Sequence, residues 1–265
     1  MLFNLRPPNK TVELNLELTM ESGQPPHFLW DHACGRHTRI INGEKAEIWM
    51  EKGRLRFTEG FGDYARELLR LDDDLDAICS KISTDRTMKC AVESCAGLRI
   101  TKSDPWETLV CFVCSINNNI PRIRKMVQSL MVEGEVMPPE DMAAKDLGGL
   151  RLGYRDKFLK GCAEKVIGYE FEKIGLMDYG EAWKELQTFP GVGPKVADCV
   201  LLFGFGFLEA FPVDVWVAKS MKRLYAAKNE RDAREKAALL WGEYAGYAQQ
   251  YLFQSERSGC LIPKG

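Results

Sequence analysis

Side-chain periodicity changes once along this chain of 265 residues, near Gly60, and no other feature constrains the fold as strongly. Before that point apolar and polar residues alternate. Residues 11–20 (TVELNLELTM) carry the period of a half-buried strand, and residues 46–58 (AEIWMEKGRLRFT) read as a hairpin turning through Glu51-Lys52-Gly53. After Gly60 the spacing is helical. Asp104-Pro105-Trp106-Glu107 supplies an N-cap, a proline at the first helical position and a glutamate at the capping-box position. Pro138-Pro139-Glu140 opens a helix that Gly148-Gly149 closes, and further helices are predicted over 155–174, 178–188, 195–204, 215–227 and 231–254. The expected class is α+β, mainly α: a small N-terminal antiparallel β-sheet over residues 1–62, packed on a helical body over 63–265.

Composition excludes several classes. With 45% hydrophobic and 28% charged residues the chain is an ordinary globular one and not a disordered one. No apolar stretch is long enough to span a bilayer, and the opening MLFNLRPPNK lacks the apolar core of a signal peptide. A soluble intracellular protein is expected, in the cytoplasm or nucleoid, or in the nucleus of a eukaryote. The nine cysteines form no regular framework, which suits reduced thiols. Cys111 and Cys114 make a C-x-x-C, but inside an apolar helical run with no second pair or nearby histidine, so they read as core thiols. No metal-ligand set is legible. A net charge of −2 does not advertise a polyanionic partner. Its distribution is more informative, with acidic residues at 71–76 and basic clusters at 122–125, 151–160 and 219–223, each of which is ordinarily a solvated helix face.

Residues 186–225 carry the chemistry. Pro190-Gly191-Val192-Gly193 is a tight turn between two helical segments, with glycine where positive φ or close backbone approach is needed. It feeds a helix beginning at Pro194-Lys195. Backbone N–H groups at such a turn suit a phosphate, so L-x-x-x-P-G-V-G-x-K-x-A reads as a helix-hairpin-helix, a grip on the DNA backbone indifferent to base sequence. Lys195 is either a phosphate-contacting lysine or a nucleophile. For the second role its amine must be neutral, well below the ordinary value of about 10.4. Asp214, in Pro212-Val213-Asp214, is either an N-cap or the electrostatic partner of that lysine.

With these residues in place the chain resembles the helix-hairpin-helix glycosylase superfamily, in which G-V-G-x-K and a downstream P-V-D carry the reaction, and within it the 8-oxoguanine DNA glycosylases. Further matches are Glu21-Ser22-Gly23-Gln24, Cys114-Ser115-Ile116-Asn117 leading to Pro121-Arg122, Leu152-Gly153-Tyr154-Arg155, and Gly246-Tyr247-Ala248-Gln249-Gln250-Tyr251-Leu252-Phe253. They occur in the family's order and span almost the whole chain.

The resemblance implies a monomeric base-excision repair enzyme, a DNA glycosylase and AP lyase acting on double-stranded DNA that contains 8-oxoguanine, with no cofactor. By that resemblance Lys195 attacks C1′ and forms a Schiff base, and Asp214 stabilises the cationic sugar. Gly23 reads N7–H through its carbonyl, Gln249 reads the Watson–Crick edge, and Phe253 and Cys199 sandwich the base. Gly191, Gly193 and Val196 offer N–H groups to phosphate, while Asn117, Arg122, Tyr154 and Arg155 hold the orphaned cytosine. Flipping costs a few kcal/mol, which such gap-filling groups must offset. Trp216 departs from the pattern, since the animal enzymes carry histidine there, and Pro194 departs as well. Only Cys260 follows Asp214, so the iron–sulfur cluster of one branch of the superfamily is not expected. Two other readings stay open: a glycosylase of the same superfamily for another damaged purine, and a non-catalytic hairpin that only binds DNA.

Overall fold

The computed structural model describes residues 14–260. Two short helices, α1 (Leu16–Met20) and α2 (Pro25–Leu29), precede four antiparallel strands: β1 (Asp31–Ala33), β2 (Arg36–Ile41), β3 (Glu44–Glu51) and β4 (Arg54–Phe57), paired in chain order. Three two-residue turns set this meander, Cys34-Gly35, Asn42-Gly43 and Lys52-Gly53, each with both residues at positive φ. Turns of that hand match the twist of the flanking strands. The hairpin expected through Glu51-Lys52-Gly53 is therefore present, with Glu51 opposite Arg54.

The strand expected over 11–20 is not formed where the chain is described. Residues 16–20 are α1, and 11–13 lie outside the described residues. Local capping overrides the alternation: the Asn15 side chain accepts the Leu18 N–H at 3.0 Å, while the Asn15 N–H donates to Gly97 O and draws the segment onto the body.

The body comprises α3 (Gly62–Leu68), α4 (Leu75–Ile82), α5 (Arg86–Ser94), α6 (Pro105–Cys114), α7 (Ile120–Ser129), a small hairpin of β5 (Met131–Val132) and β6 (Glu135–Val136), and α8 (Pro139–Ala144). It continues through α9 (Arg155–Ile167), α10 (Tyr179–Leu186), α11 (Pro194–Val200), α12 (Val215–Tyr225), α13 (Glu230–Trp241) and α14 (Ala245–Arg257). The cap read at Asp104 is formed, its carboxylate accepting the Glu107 N–H at 2.9 Å. Three expected helices are shorter than their patterns. The one opened by Pro139 stops at Ala144, 155–174 ends at Ile167 and resumes as a 3₁₀ segment, and 231–254 breaks at Gly242, which has φ +50°. That break sends α14 off on its own line. α11 runs into a π turn, Leu201–Phe205, where Phe203 O accepts the N–H of Ser103 at 2.8 Å.

α6 is the central element, with Leu109, Val110, Cys111, Val113 and Cys114 fully buried. The C-x-x-C is thus a pair of core thiols, and burial pushes Cys114 up to about 12. The sheet joins the body through an Arg39–Glu107 ion pair, and the turn before α2 joins it through Gln24, whose amide bridges Arg99 O at 2.9 Å and Thr101 N at 2.8 Å. Burial and the adjacent His32 hold His37 down to about 4, so an uncharged imidazole packs at this join. Among the described residues no helix is long and apolar enough to cross a membrane.

Candidate active site

α10, residues 187–193 and α11 form the hairpin, and its geometry explains its glycines. Gly191 has φ +76°, and a Cβ there would stand 2.5 Å from the Phe158 ring, so both backbone and space demand glycine. Gly193 caps α11 in an extended conformation, followed by Pro194 at the first helical position. Within the described chain the N–H groups of Gly191, Gly193 and Val196 have no acceptor. A helix start leaves such donors outward for an anion.

Behind the hairpin lies a cavity of about 680 Å³. Lys195, Cys199, Asp214, Gln249, Phe253 and Gly23 all line it, although they come from four separate parts of the chain. Asn117, Gly191, Gly193 and Val196 also reach it. Lys195 Nζ donates to Ser115 Oγ at 3.0 Å and stands 4.8 Å from the centre of the Phe112 ring, both at the C-terminal end of α6. Asp214 is the N-cap of α12. Its Oδ1 accepts from Trp216 N at 3.0 Å and Val217 N at 2.8 Å, so both cap bonds fall on one oxygen. Burial raises its carboxyl above the ordinary 3.8, against the downward pull of those N–H bonds and of Lys195. The cap reading and the partner reading of Asp214 are therefore compatible. Cys199 lies one turn after Lys195, its thiol pushed up to about 12 by burial and so uncharged.

The opposite wall belongs to α14 and the turn before α2. Gln249 is buried, and its Oε1 has no hydrogen-bond partner in the protein. Gly23 has φ +81°, and a Cβ on it would come within 3.3 Å of the Phe253 ring, so this turn lies directly against that face. Its N–H donates to His27 Nδ1 at 3.2 Å. Gln250 fastens the two elements by donating to both Ser22 O and Ser22 Oγ at 3.0 Å. Arg257 closes the pocket, its guanidinium 5.8 Å from the Phe253 ring centre.

Arg122, Tyr154 and Arg155 do not line the cavity. Arg122 is exposed at the start of α7, and Tyr154 is exposed with its hydroxyl 3.3 Å from Asn117 Nδ2. Arg155 is buried. Its guanidinium is tied to three backbone carbonyls, Ile116 O, Asn117 O at 3.2 Å and Leu152 O at 3.2 Å, and so it braces the loop in which Asn117 takes φ +47°. Ser115, Gln250 and Arg257 are site residues that sequence reasoning missed. Spacing on α14 offers a signal for the last two, since Gln250 adjoins Gln249 and Arg257 follows Phe253 by one turn. Ser115 carries no such signal, because its partner Lys195 is eighty positions away.

A hairpin that presents a lysine to a cavity, faced by the aspartate that caps the next helix, defines the helix-hairpin-helix DNA glycosylases. The family model "8-oxoguanine DNA glycosylase, N-terminal domain" matches residues 7–109. The chain is 29% identical to the probable N-glycosylase/DNA lyase of Methanothermobacter thermautotrophicus, over 94% of this chain and 96% of that one. Among solved structures it resembles MBOgg1 in complex with a low-affinity DNA ligand, at 31% identity and TM-score 0.86, covering 94% and 93% of the two chains. It resembles equally, at 28% identity and TM-score 0.86 over 93% of each chain, the Clostridium acetobutylicum 8-oxoguanine glycosylase/lyase bound to double-stranded DNA with cytosine opposite 8-oxoguanine. The chain belongs to the 8-oxoguanine DNA glycosylase family.

Proposed function

We propose that this protein is a bifunctional glycosylase and AP lyase that excises 8-oxoguanine from opposite cytosine in double-stranded DNA, inside the cell. The observation that carries the reading is the meeting of Lys195, Asp214 and the orphaned Gln249 Oε1 in one cavity large enough for a flipped purine nucleoside. Lys195, neutral when it reacts, attacks C1′ as the glycosidic bond breaks. The C1′–O4′ bond then opens as the nitrogen lone pair forms the Schiff base, which acidifies the 2′ position, and loss of a 2′ proton expels the 3′ phosphate by β-elimination and cleaves the strand. Ser115 holds the amine in line. Asp214 Oδ2, left free by the two cap bonds on Oδ1, faces the positive charge that develops on the sugar.

Base choice rests on polar groups that only the right base satisfies. The buried Gln249 amide acts on the base edge, and the Gly23 carbonyl accepts the N7–H that 8-oxoguanine has and guanine lacks. A normal guanine would leave a buried acceptor facing N7, a mismatch of the kind that discriminates strongly. Phe253 and the uncharged Cys199 supply the two apolar faces. The free N–H groups of Gly191, Gly193 and Val196 hold the phosphate beside the lesion. Asn117, Arg122 and Tyr154 hold the orphaned cytosine, Asn117 from a loop that Arg155 keeps in shape.

Borohydride trapping on a duplex carrying 8-oxoguanine opposite cytosine tests the reading. A covalent adduct is expected with the intact protein and not with Lys195→Gln. Absence of both adduct and excision with the intact protein, or a Lys195→Gln adduct of undiminished yield, would sink it.

A further inference from the structure

The chain has three histidines, and all of them lie beside Glu21 at the join of sheet and body, outside the cavity. Glu21 Oε1 is 3.3 Å from His32 Nδ1. His32 and His37 are cross-strand partners in β1 and β2, a register fixed by the Cys34-Gly35 turn between them. Their rings stack with centroids 4.4 Å apart and planes inclined by 14°. One donor atom from each of Glu21, His32 and His37 lies within 4.8 Å of the others. None of these three residues has a part in base excision as described above.

We propose that Glu21, His32 and His37 form a binding site for a divalent transition-metal ion of the zinc class, completed by water. Two imidazole nitrogens and one carboxylate oxygen are a zinc ligand set with an open fourth position. Magnesium and calcium prefer oxygen donors throughout, so the imidazole pair selects against them. Donors on a tetrahedral zinc at about 2.1 Å stand roughly 3.4 Å apart, so donors as far as 4.8 Å from one another close by up to about 1.4 Å, with the His32 ring turning out of its stack on His37. Two of the donors already lie at that spacing. His37 is buried on the sheet and His32 is exposed, which gives the ion one anchored ligand and an open path of entry. The neighbouring positive charge of Arg124 is already engaged, by Asp31 Oδ1 at 3.0 Å and Trp30 O at 2.9 Å.

The position gives the ion a mechanical role. Glu21 precedes Gly23 by two residues, and the Gly23 N–H is held by His27, the third histidine. A metal joining Glu21 to the β1–β2 hairpin clamps the turn that bears Gly23 from its outer side.

The test is a calorimetric titration of the metal-free full-length protein with ZnCl2, paired with thermal melting and with the absorption spectrum of the Co2+ form. One equivalent of zinc is expected to bind and raise Tm. Affinity should fall at least about tenfold in His32→Ala and in Glu21→Gln, as loss of a metal partner does. Cys34→Ser, in the turn of the same hairpin, should bind as the intact protein does. Glu21→Gln keeps side-chain size, so it separates loss of a ligand from loss of packing where His32→Ala, which removes the stack on His37, lowers the metal-free Tm. The Co2+ spectrum should show tetrahedral d–d bands without a thiolate charge-transfer band. No bound equivalent, binding unchanged in both ligand variants, or a thiolate band would each overturn the site.

Discussion

At the scale of single residues, two side chains make opposite demands on stability and function. In the proposed mechanism Asp214 must be ionised to face a cationic sugar, yet burial raises its carboxyl above the ordinary 3.8. Protonation removes the useful form, so kcat/KM should fall as pH drops through a value above that of a free aspartate. Asp214→Asn should be slow and should lack this acid limb. A limb of unchanged position in that variant would mean another group carries it. Gln249 is the reverse case, since its buried Oε1 has no partner within the protein, and an unpaired buried acceptor ordinarily costs about 1–3 kcal/mol. Gln249→Leu is expected to hold or raise the melting temperature while cutting excision by at least about a hundredfold. A clear loss of stability with unchanged excision would show that Gln249 is a packing residue.

Lys195, Asp214 and Gln249 were legible because their neighbours form short runs, P-G-V-G-x-K, P-V-D and Gln249 to Phe253, that carry a resemblance. Ser115 was not legible, because nothing local to Cys114-Ser115-Ile116 says that a lysine eighty residues on will meet it.

Among elements, boundaries set by local chemistry were readable and those set by tertiary contact were not. The Asp104 cap and the Lys52-Gly53 turn satisfy their backbone groups within four residues, and both are where the sequence puts them. The alternation over 11–20 misleads for a mixed reason: the Asn15 cap on Leu18 is local, but Gly97, far along the chain, takes the Asn15 N–H. The break at Gly242 hides inside a good helical pattern, although φ +50° is a conformation glycine enters freely. The hairpin between α10 and α11 gives the sharpest element-scale expectation. Gly191→Ala would force a Cβ against Phe158 at positive φ, costing about 2–4 kcal/mol. Its DNA affinity should fall for damaged and undamaged duplexes alike, in a binding assay at fixed salt. A loss confined to the lesion-bearing duplex would argue that the turn reads the base.

For the whole molecule, the proposed division into 1–62 and 63–265 is one of form more than of stability. The N-terminal elements and the body share one continuous core, joined by the buried Gln24 amide ahead of α2 and by the Arg39–Glu107 pair from the sheet. Calorimetry should therefore record a single unfolding transition, and Arg39→Met should lower it as a unit. A separate, earlier transition in the intact protein would make the sheet an independent domain. The π turn after α11 has a different kind of consequence, for length. An α-helix advances about 100° per residue. Removing one residue from 201–205 would rotate all that follows, withdraw Phe203 O from Ser103, and swing the segment that leads to Asp214. Between Lys195 and Asp214 the number of residues is thus as much a part of the site as the side chains themselves.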